Sequence, residues 1–408
     1  MIDPTREAAF ELLNAVLTRG QTLDAALDAL PKIDARNKAA AHRLAATVLR
    51  HTGTLNAVLE EFLVRAPPQP DRYVLWLGAA AMLFLATPPH AAVGTAVNLA
   101  RVNKLAPFTG LINAVLRRVA SGGTALLDAV DMPRLDTPAW AWSSWGANAR
   151  AIATAHQREA PLDITLKPRF FSSAGEALPT GSYRFPAGTA VAEIPGFSDG
   201  QLWVQDAAAA LPAQLLNVRP GERVLDLCAA PGGKTAQLAA AGGIVTAVER
   251  DAARLGRLKL NLARLGLQAQ TVLADATSWR PAERFPAILL DAPCSATGTI
   301  RRHPELLHIR KPRDIGALTQ IQDRLLDAAA KMLAPGGRII YAVCSLQPEE
   351  GEGRVHAACA RQGLRHDRLN LAALPEAVTR EGNIRTHPGM WSARGGMDGF
   401  FIARLVKP

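Results

Sequence analysis

From Arg223 to the C-terminus short apolar runs alternate with helix-periodic stretches, and only a largely parallel sheet with helices packed on its faces accommodates that order. The runs are Val224 to Leu227, Ile244 to Val248, Thr271 to Leu273, Ala287 to Leu290, Arg338 to Val343 and a closing strand from Phe400 to Val406. A helix with Leu318, Ile321, Leu325, Ala329 and Met332 on one face precedes the fifth run and is expected to stop at Pro335 and Gly336. The first hundred residues follow a different period. Phe10, Leu13 and Leu17 recur at helix spacing after a Thr5 cap, with Gly20 as the stop. Leu55, Val58, Leu59, Phe62 and Leu63 form a second stripe, ended by Pro67 and Pro68. The last helix of this part sets Leu111, Ile112, Val115 and Leu116 beside Asn113, Arg117 and Arg118, an apolar face next to a basic one.

Between these two texts the composition turns to Pro, Gly, Ser and Trp, which marks a boundary or linker. Inside it Leu162, Ile164 and Leu166 alternate as a strand would, followed by the basic and aromatic group Lys167, Arg169, Phe170 and Phe171, a mixture suited to RNA. The fold expected is therefore multidomain: an all-α bundle over 1–125, a linker with a small α/β RNA-binding piece over 126–200, and a Rossmann-like α/β domain over 201–408. A length of 408 residues suits several cores. With 49% hydrophobic and 20% charged residues, disorder and fibrous structure are excluded.

A net charge of +10 favours a polyanionic partner. Asp3, Glu7 and Glu11 interrupt the N-terminus where a secretory signal would be basic and then apolar, so a cytoplasmic address is expected. The longest apolar stretch, Val74 to Ala86, falls short of the roughly 20 residues that span a bilayer and reads as a buried core helix. Cys228, Cys294, Cys344 and Cys359 lie far apart with no CxxC pair, which argues against a zinc site and a disulfide framework.

The stretch DLCAAPGGKT from Asp226 to Thr235 falls where a strand meets a helix, and free N–H groups at such a turn hold anionic or polar ligands. Its end copies a P-loop, and Ile288 to Asp291 resembles the magnesium-holding strand of a nucleotide hydrolase. Against that reading, Cys228 stands where a P-loop needs glycine, so the backbone is expected to be less free to wrap a phosphate. A nucleoside cofactor fits better. Glu249 ends the second strand, where an acid takes ribose hydroxyls, and Asp275 and Asp291 follow the third and fourth.

Cys294 lies just past the fourth strand and Cys344 just past the fifth. Strands joined by one right-handed crossover are usually neighbours, so both sulfurs are expected to open onto one cleft. Two thiols there suit attack on a cytosine. Carbon 5 is a poor nucleophile until a thiolate adds to carbon 6, and a second group must then help remove the carbon-5 proton so that the sulfur leaves. Asp291 is placed to stabilise such an adduct at the ring nitrogen. Because a stacked base is out of reach at this depth, the target is expected to be single-stranded or flipped out. The run Arg301, Arg302, His303, Arg310, Lys311 and Arg313, opposed only by Glu305, is expected to border the cleft and hold RNA phosphates.

The stretches LDLCAAPGGKT (Leu225 to Thr235), LDAPCSATGTIRRHPE (Leu290 to Glu305) and YAVCSLQPEE (Tyr341 to Glu350) closely resemble the two-cysteine RNA cytosine-C5 methyltransferases. The likeness extends to PGFSDGQLWVQD (Pro195 to Asp206) and to DGFF (Asp398 to Phe401). The bundle, through LINAVLRR (Leu111 to Arg118), is similar to the NusB-type antitermination domain, and the combination resembles bacterial enzymes acting on a cytosine of 16S ribosomal RNA. The resemblance implies a monomeric enzyme using S-adenosylmethionine, with Cys344 as nucleophile and Cys294 as the group that aids release. It also implies that Cys228, Ala229, Ala230, Pro231, Gly232, Gly233 and Lys234 line the methionine part of the cofactor, Glu249 its ribose, Asp275 its adenine and Asp291 its methyl-donor end. Departures are modest: Glu249 for aspartate, Ala208 for serine, and Gly351 for asparagine after Glu350. A non-catalytic RNA-binding or ribosome-assembly factor is the competing class, which intact cysteines and acids speak against.

Overall fold

The computed structural model of the chain describes residues 3–65, 67–172 and 174–408, and its contacts divide into two compact units. One holds the described residues up to Arg158 together with Ile300–Lys311, the other Glu159–Thr299 and Pro312–Pro408. The first is helical. Its opening helix, Pro4–Leu17, is capped by Asp3 rather than Thr5: the Asp3 carboxylate accepts from the N–H groups of Thr5 and Arg6, leaving the Thr5 hydroxyl for Asn37. The helix Asp71–Leu83 runs through the centre with Val74 to Ala81 buried on all sides, as a helix without a polar face must be. On Thr109–Gly122, Ile112, Val115, Leu116 and Val119 face the core while Arg117 and Arg118 are exposed. No helix among the described residues is long and apolar enough to cross a membrane.

Two segments join this unit that composition assigned elsewhere. Residues 126–158 fold as short helices, Met132–Leu135, Ala139–Trp145 and Ala149–His156 among them, and Asp136 ties them to the bundle by accepting from the Thr54 N–H at 2.7 Å and hydroxyl at 2.8 Å. The Pro, Gly and Trp text thus punctuates small helices, and the contact boundary falls at 158/159, inside the expected connector. Ile300–Lys311 also packs here: Leu306 and Leu307 are buried, and Glu305 accepts from the Leu23 N–H.

The second unit opens with a four-stranded antiparallel sheet, β1 (Leu162–Leu166), β2 (Glu176–Ala177), β3 (Tyr183–Phe185) and β4 (Leu202–Val204), in the order β2-β3-β1-β4. The expected alternation in β1 is not simple, because Asp163 is as buried as Ile164. Its carboxylate takes a two-pronged bond from Arg184, Nε and Nη2 each at 2.7 Å, and caps the next helix through the Ala207 N–H.

The large sheet contains β5 (Arg223–Leu227), β6 (Ile244–Glu249), β7 (Gln270–Leu273), β8 (Phe285–Asp291), β9 (Leu333–Val343), β10 (Arg365–Asp367), β11 (Ile384–Arg385) and β12 (Phe401–Val406). Its order is β10-β12-β9-β8-β5-β6-β7, with β11 beside β12. β5 to β9 are parallel, and β12 returns antiparallel to β9. This Rossmann-like order reverses between β5 and β8, and ligands bind outside the carboxyl ends at such a switch point. The helix Pro312–Met332 ends before Pro335, since β9 already begins at Leu333.

Replacing one partner of the buried Asp163 and Arg184 pair strands the other charge. Arg184→Ala is expected to lower stability by about 3–5 kcal/mol in denaturant unfolding, with the loss absent if the pair is dispensable.

Candidate active site

The turn after β5 sets the first wall. Cys228 adopts a left-handed backbone (φ 62°) and Gly232 does so at φ 103°, before the helix Gly233–Ala240 begins. The absence of glycine at 228 therefore does not keep the backbone from turning; the side chain is accommodated at a cost of about 1–2 kcal/mol. Behind the turn, Asp226 is fully buried and accepts from the Thr235 hydroxyl at 2.6 Å, while its Oδ1 has no hydrogen-bond partner. Burial pushes its pKa up to about 7 despite the Thr235 bond. The Cys228 thiol is pushed up to about 12 by burial, with Asp291 and Glu249 adding to the shift, so it stays protonated.

A cleft opens beside β6 and β7, lined by Cys228, Val248, Glu249, Asp275, Pro293, Ile321 and Leu325 among others. Glu249 is 2% exposed and fixed from behind, accepting from the Ala230 N–H at 3.3 Å and the Asp251 N–H at 3.0 Å. Asp275 accepts from the hydroxyl and N–H of Thr277, which hold its carboxyl below the usual range. Lys234 reaches across from the turn to the end of β8, where Nζ donates to Asp291 Oδ2 at 2.8 Å and stands 5.3 Å from the Phe400 ring centre. Burial opposes the Lys234 charge, but Asp291 and then Cys344 outweigh it and lift its pKa above the ordinary value. The ammonium is therefore secure.

The two cysteines meet. Cys294 Sγ lies 3.4 Å from Cys344 Sγ, both as free thiols. The Cys294 pKa is driven well up, first by its hydrogen bond with Cys344, then by burial and by the charge of Glu350. Cys294 thus holds its proton tightly, in a hydrogen bond with Cys344 for which either sulfur can be the donor. The loops are stitched together by the Gly298 N–H, which donates to the Cys344 carbonyl at 3.0 Å, and by the Ala292 N–H, which donates to the Ala342 carbonyl at 2.9 Å.

Residues 213–406 match the family described as "16S rRNA methyltransferase RsmB/F", and residues 3–121 match the NusB family. The chain is 36% identical to ribosomal RNA small subunit methyltransferase B of Pseudomonas syringae pv. tomato, over 98% of this chain and 96% of that one. It belongs to the RsmB/F family. The Sodalis glossinidius protein of the same name is 34% identical over 98% of this chain and 97% of its own. Among solved structures, a methyltransferase homolog from Pyrococcus horikoshii is 28% identical with a TM-score of 0.55, covering 65% of this chain and 93% of that one.

In this RsmB/F family member the residues expected at the site divide between the units. Cys228 to Lys234, Glu249, Asp275, Asp291, Cys294 and Cys344 all belong to the second, whereas Arg301, Arg302, His303, Arg310 and Lys311 belong to the first. Arg301 is corrected outright: at 1% exposure its guanidinium is not presented to a phosphate. Arg302, His303 and Arg310 are partly exposed and Lys311 exposed. Sequence reasoning gave no role to Glu350. It is fully buried and accepts from the Ser295 N–H at 2.9 Å, the Ser295 hydroxyl at 2.6 Å, the Gln322 side-chain N–H at 2.9 Å and the Ser345 hydroxyl. The available signal was that each catalytic-motif cysteine is followed by a serine.

Asp226 binds its proton more tightly folded than unfolded, so this group lowers stability as pH rises from about 4 to about 7 and adds no further slope above. Asp226→Asn is expected to flatten that part of the profile in urea unfolding at pH 4.5 and pH 7.5. An unchanged slope would place the carboxyl elsewhere in the titration.

Proposed function

We propose that this chain makes 5-methylcytosine in small-subunit ribosomal RNA, with Cys344 forming a covalent bond to carbon 6 of the target base and Cys294 aiding its release. The chain is an S-adenosylmethionine-dependent rRNA methyltransferase of the RsmB/F family, and the pairing of thiols just past the carboxyl ends of β8 and β9 is what extends that statement to cytosine carbon 5. The cleft fits a nucleoside methyl donor. Val248, Ile321 and Leu325 offer apolar surface for a flat base, Glu249 and Asp275 offer acceptors for hydroxyl and amino groups, and the cleft continues to Cys228 and Pro293, the residue before Cys294. When bound, S-adenosylmethionine supplies an electrophilic methyl group.

The remaining work falls to the chain. The Cys344 thiolate adds to carbon 6, forming an S–C bond and moving the ring electron pair toward carbon 5. Asp291 is assigned to the ring nitrogen, to which it gives a proton as the thiolate adds, so that the electron density pushed into the ring is neutralised, and Lys234 pairs with the carboxylate left behind. After carbon 5 is methylated its proton must depart. That C–H electron pair restores the ring double bond while the Cys344 sulfur leaves with the S–C pair, and Cys294, in contact with that sulfur, gives it its own proton and takes the carbon-5 proton in exchange. The substrate cytosine is single-stranded or flipped out, since this chemistry needs both faces of the ring. Arg302, His303, Arg310 and Lys311 are assigned to RNA phosphates, and the enzyme to a monomeric, cytoplasmic state.

The observation that carries this reading is the 3.4 Å approach of the two sulfurs. Cys344→Ser is expected to abolish methylation, read by bisulfite sequencing at cytosine 967 of 16S rRNA, whereas Cys294→Ser accumulates a protein–RNA adduct on a denaturing gel. The adduct appearing in Cys344→Ser instead would reverse the two roles. For the cofactor, Glu249→Ala is expected to weaken S-adenosylmethionine binding about 10- to 100-fold by calorimetry, the range of a lost charged hydrogen bond. Unaltered affinity would remove Glu249 from the ribose.

A further inference from the structure

We propose that Glu350 is a positioning residue, whose buried carboxylate joins the loop after β8 to the loop after β9 and thereby holds Cys294 Sγ against Cys344 Sγ. The inference rests on the reading of these thiols as the reacting pair. Its geometry is specific. Ser295 directly follows Cys294 and Ser345 directly follows Cys344, and one carboxylate oxygen accepts from both hydroxyls. The other accepts from the Ser295 N–H and from Gln322, whose side chain also donates to the Pro293 carbonyl at 3.1 Å. The Gln322 amide oxygen and the Glu350 carbonyl in turn accept from the Tyr341 hydroxyl at 3.2 and 2.9 Å, so β9 itself is included.

These partners of the carboxylate are neutral donors, and a charge with 0% exposure persists only where such donors meet each oxygen. An apolar side chain would fill the space at lower cost, but it would not fix the distance between two loops. Two sulfurs at contact distance tolerate little drift, because a misplacement of about 1 Å in a reacting pair costs on the order of 100-fold in rate. The negative charge of Glu350 also helps keep the proton on Cys294.

The test measures sulfur proximity without RNA. Diamide takes two hydrogens from a pair of thiols, giving one disulfide and a hydrazine, and peptide mass spectrometry under non-reducing conditions identifies which cysteines join. The wild-type chain is expected to form the Cys294 to Cys344 bridge. Glu350→Ala should form it about tenfold more slowly and methylate RNA about 100-fold more slowly. Its affinity for S-adenosylmethionine should be unchanged, since Glu350 does not line the cofactor cleft. Glu350→Gln should restore bridging: its amide oxygen can face the Ser295 N–H and Gln322, and its amino group can donate to the serine hydroxyls. If Glu350→Ala does not fold, Ser345→Ala, which removes the Glu350 tie to the Cys344 loop and leaves those to Ser295 and Gln322, should show both losses at smaller amplitude. Wild-type bridging and turnover in Glu350→Ala, or in Ser345→Ala where it replaces it, overturns the proposal. Slower bridging combined with no RNA adduct from Cys294→Ser leaves the positioning role standing and removes the covalent mechanism.

Discussion

The parallel pairing of β8 with β9 is the constraint from which the site follows. Leu290 lies opposite Tyr341 and Asp291 opposite Ala342, so both chains leave the sheet at the same edge. Cys294 comes three residues after Asp291 and Cys344 two residues after Ala342, and each chain turns toward the other as it leaves. A one-residue slip in this register would send alternate side chains to the opposite face and separate the sulfurs. The register is held by residues far from any chemistry: Ile288, Leu289, Ile339 and Ile340 are wholly buried, with helices packed on the sheet. The apolar runs that read as strands therefore also determine where the thiols meet.

At that edge negative charge accumulates, and the structure disposes of it in different ways. Asp226 holds on to its proton up to about pH 7, Asp291 is paired with Lys234, and Glu350 accepts hydrogen bonds from neutral donors. Glu249 and Asp275 retain their place on the cleft wall, each anchored by N–H donors at its back. These choices matter to the thiols, since every uncompensated negative charge nearby raises the cost of making a thiolate. Cys228 experiences that cost in full and remains an inert thiol in the cleft wall. The Cys344 sulfur lies close enough to Lys234 to help raise the lysine's pKa.

Much of this was legible in the sequence. The parallel sheet followed from the alternation of apolar runs and helices, the neighbourhood of the fourth and fifth runs from their single crossover, and the acids at strand ends from the same runs. Contacts that join distant segments were less legible. Asp163 looks like the polar half of an alternating strand until Arg184 arrives from β3, and the helices after residue 126 look like linker until Asp136 reaches Thr54. Within the basic run after residue 300 the same holds for Arg301: its charge was read as surface, whereas it is buried in a segment that Leu306 and Leu307 pack into the helical unit. Local pattern reports the face of an element, and a buried ion pair or a packed loop is decided by its partner.

Two identical residue types acquire different work from their surroundings alone. Thiols 3.4 Å apart cannot both ionise cheaply, because the second negative charge would form beside the first in a nearly dry site. Glu350, though tied to both loops, raises the cost of ionising Cys294, while Lys234 lies close enough to Cys344 to respond to its charge. The pair is therefore asymmetric before any substrate arrives. In the proposed mechanism Cys294 donates the hydrogen bond and Cys344 offers a lone pair to carbon, an order of roles that motif spacing leaves open and the family resemblance implies.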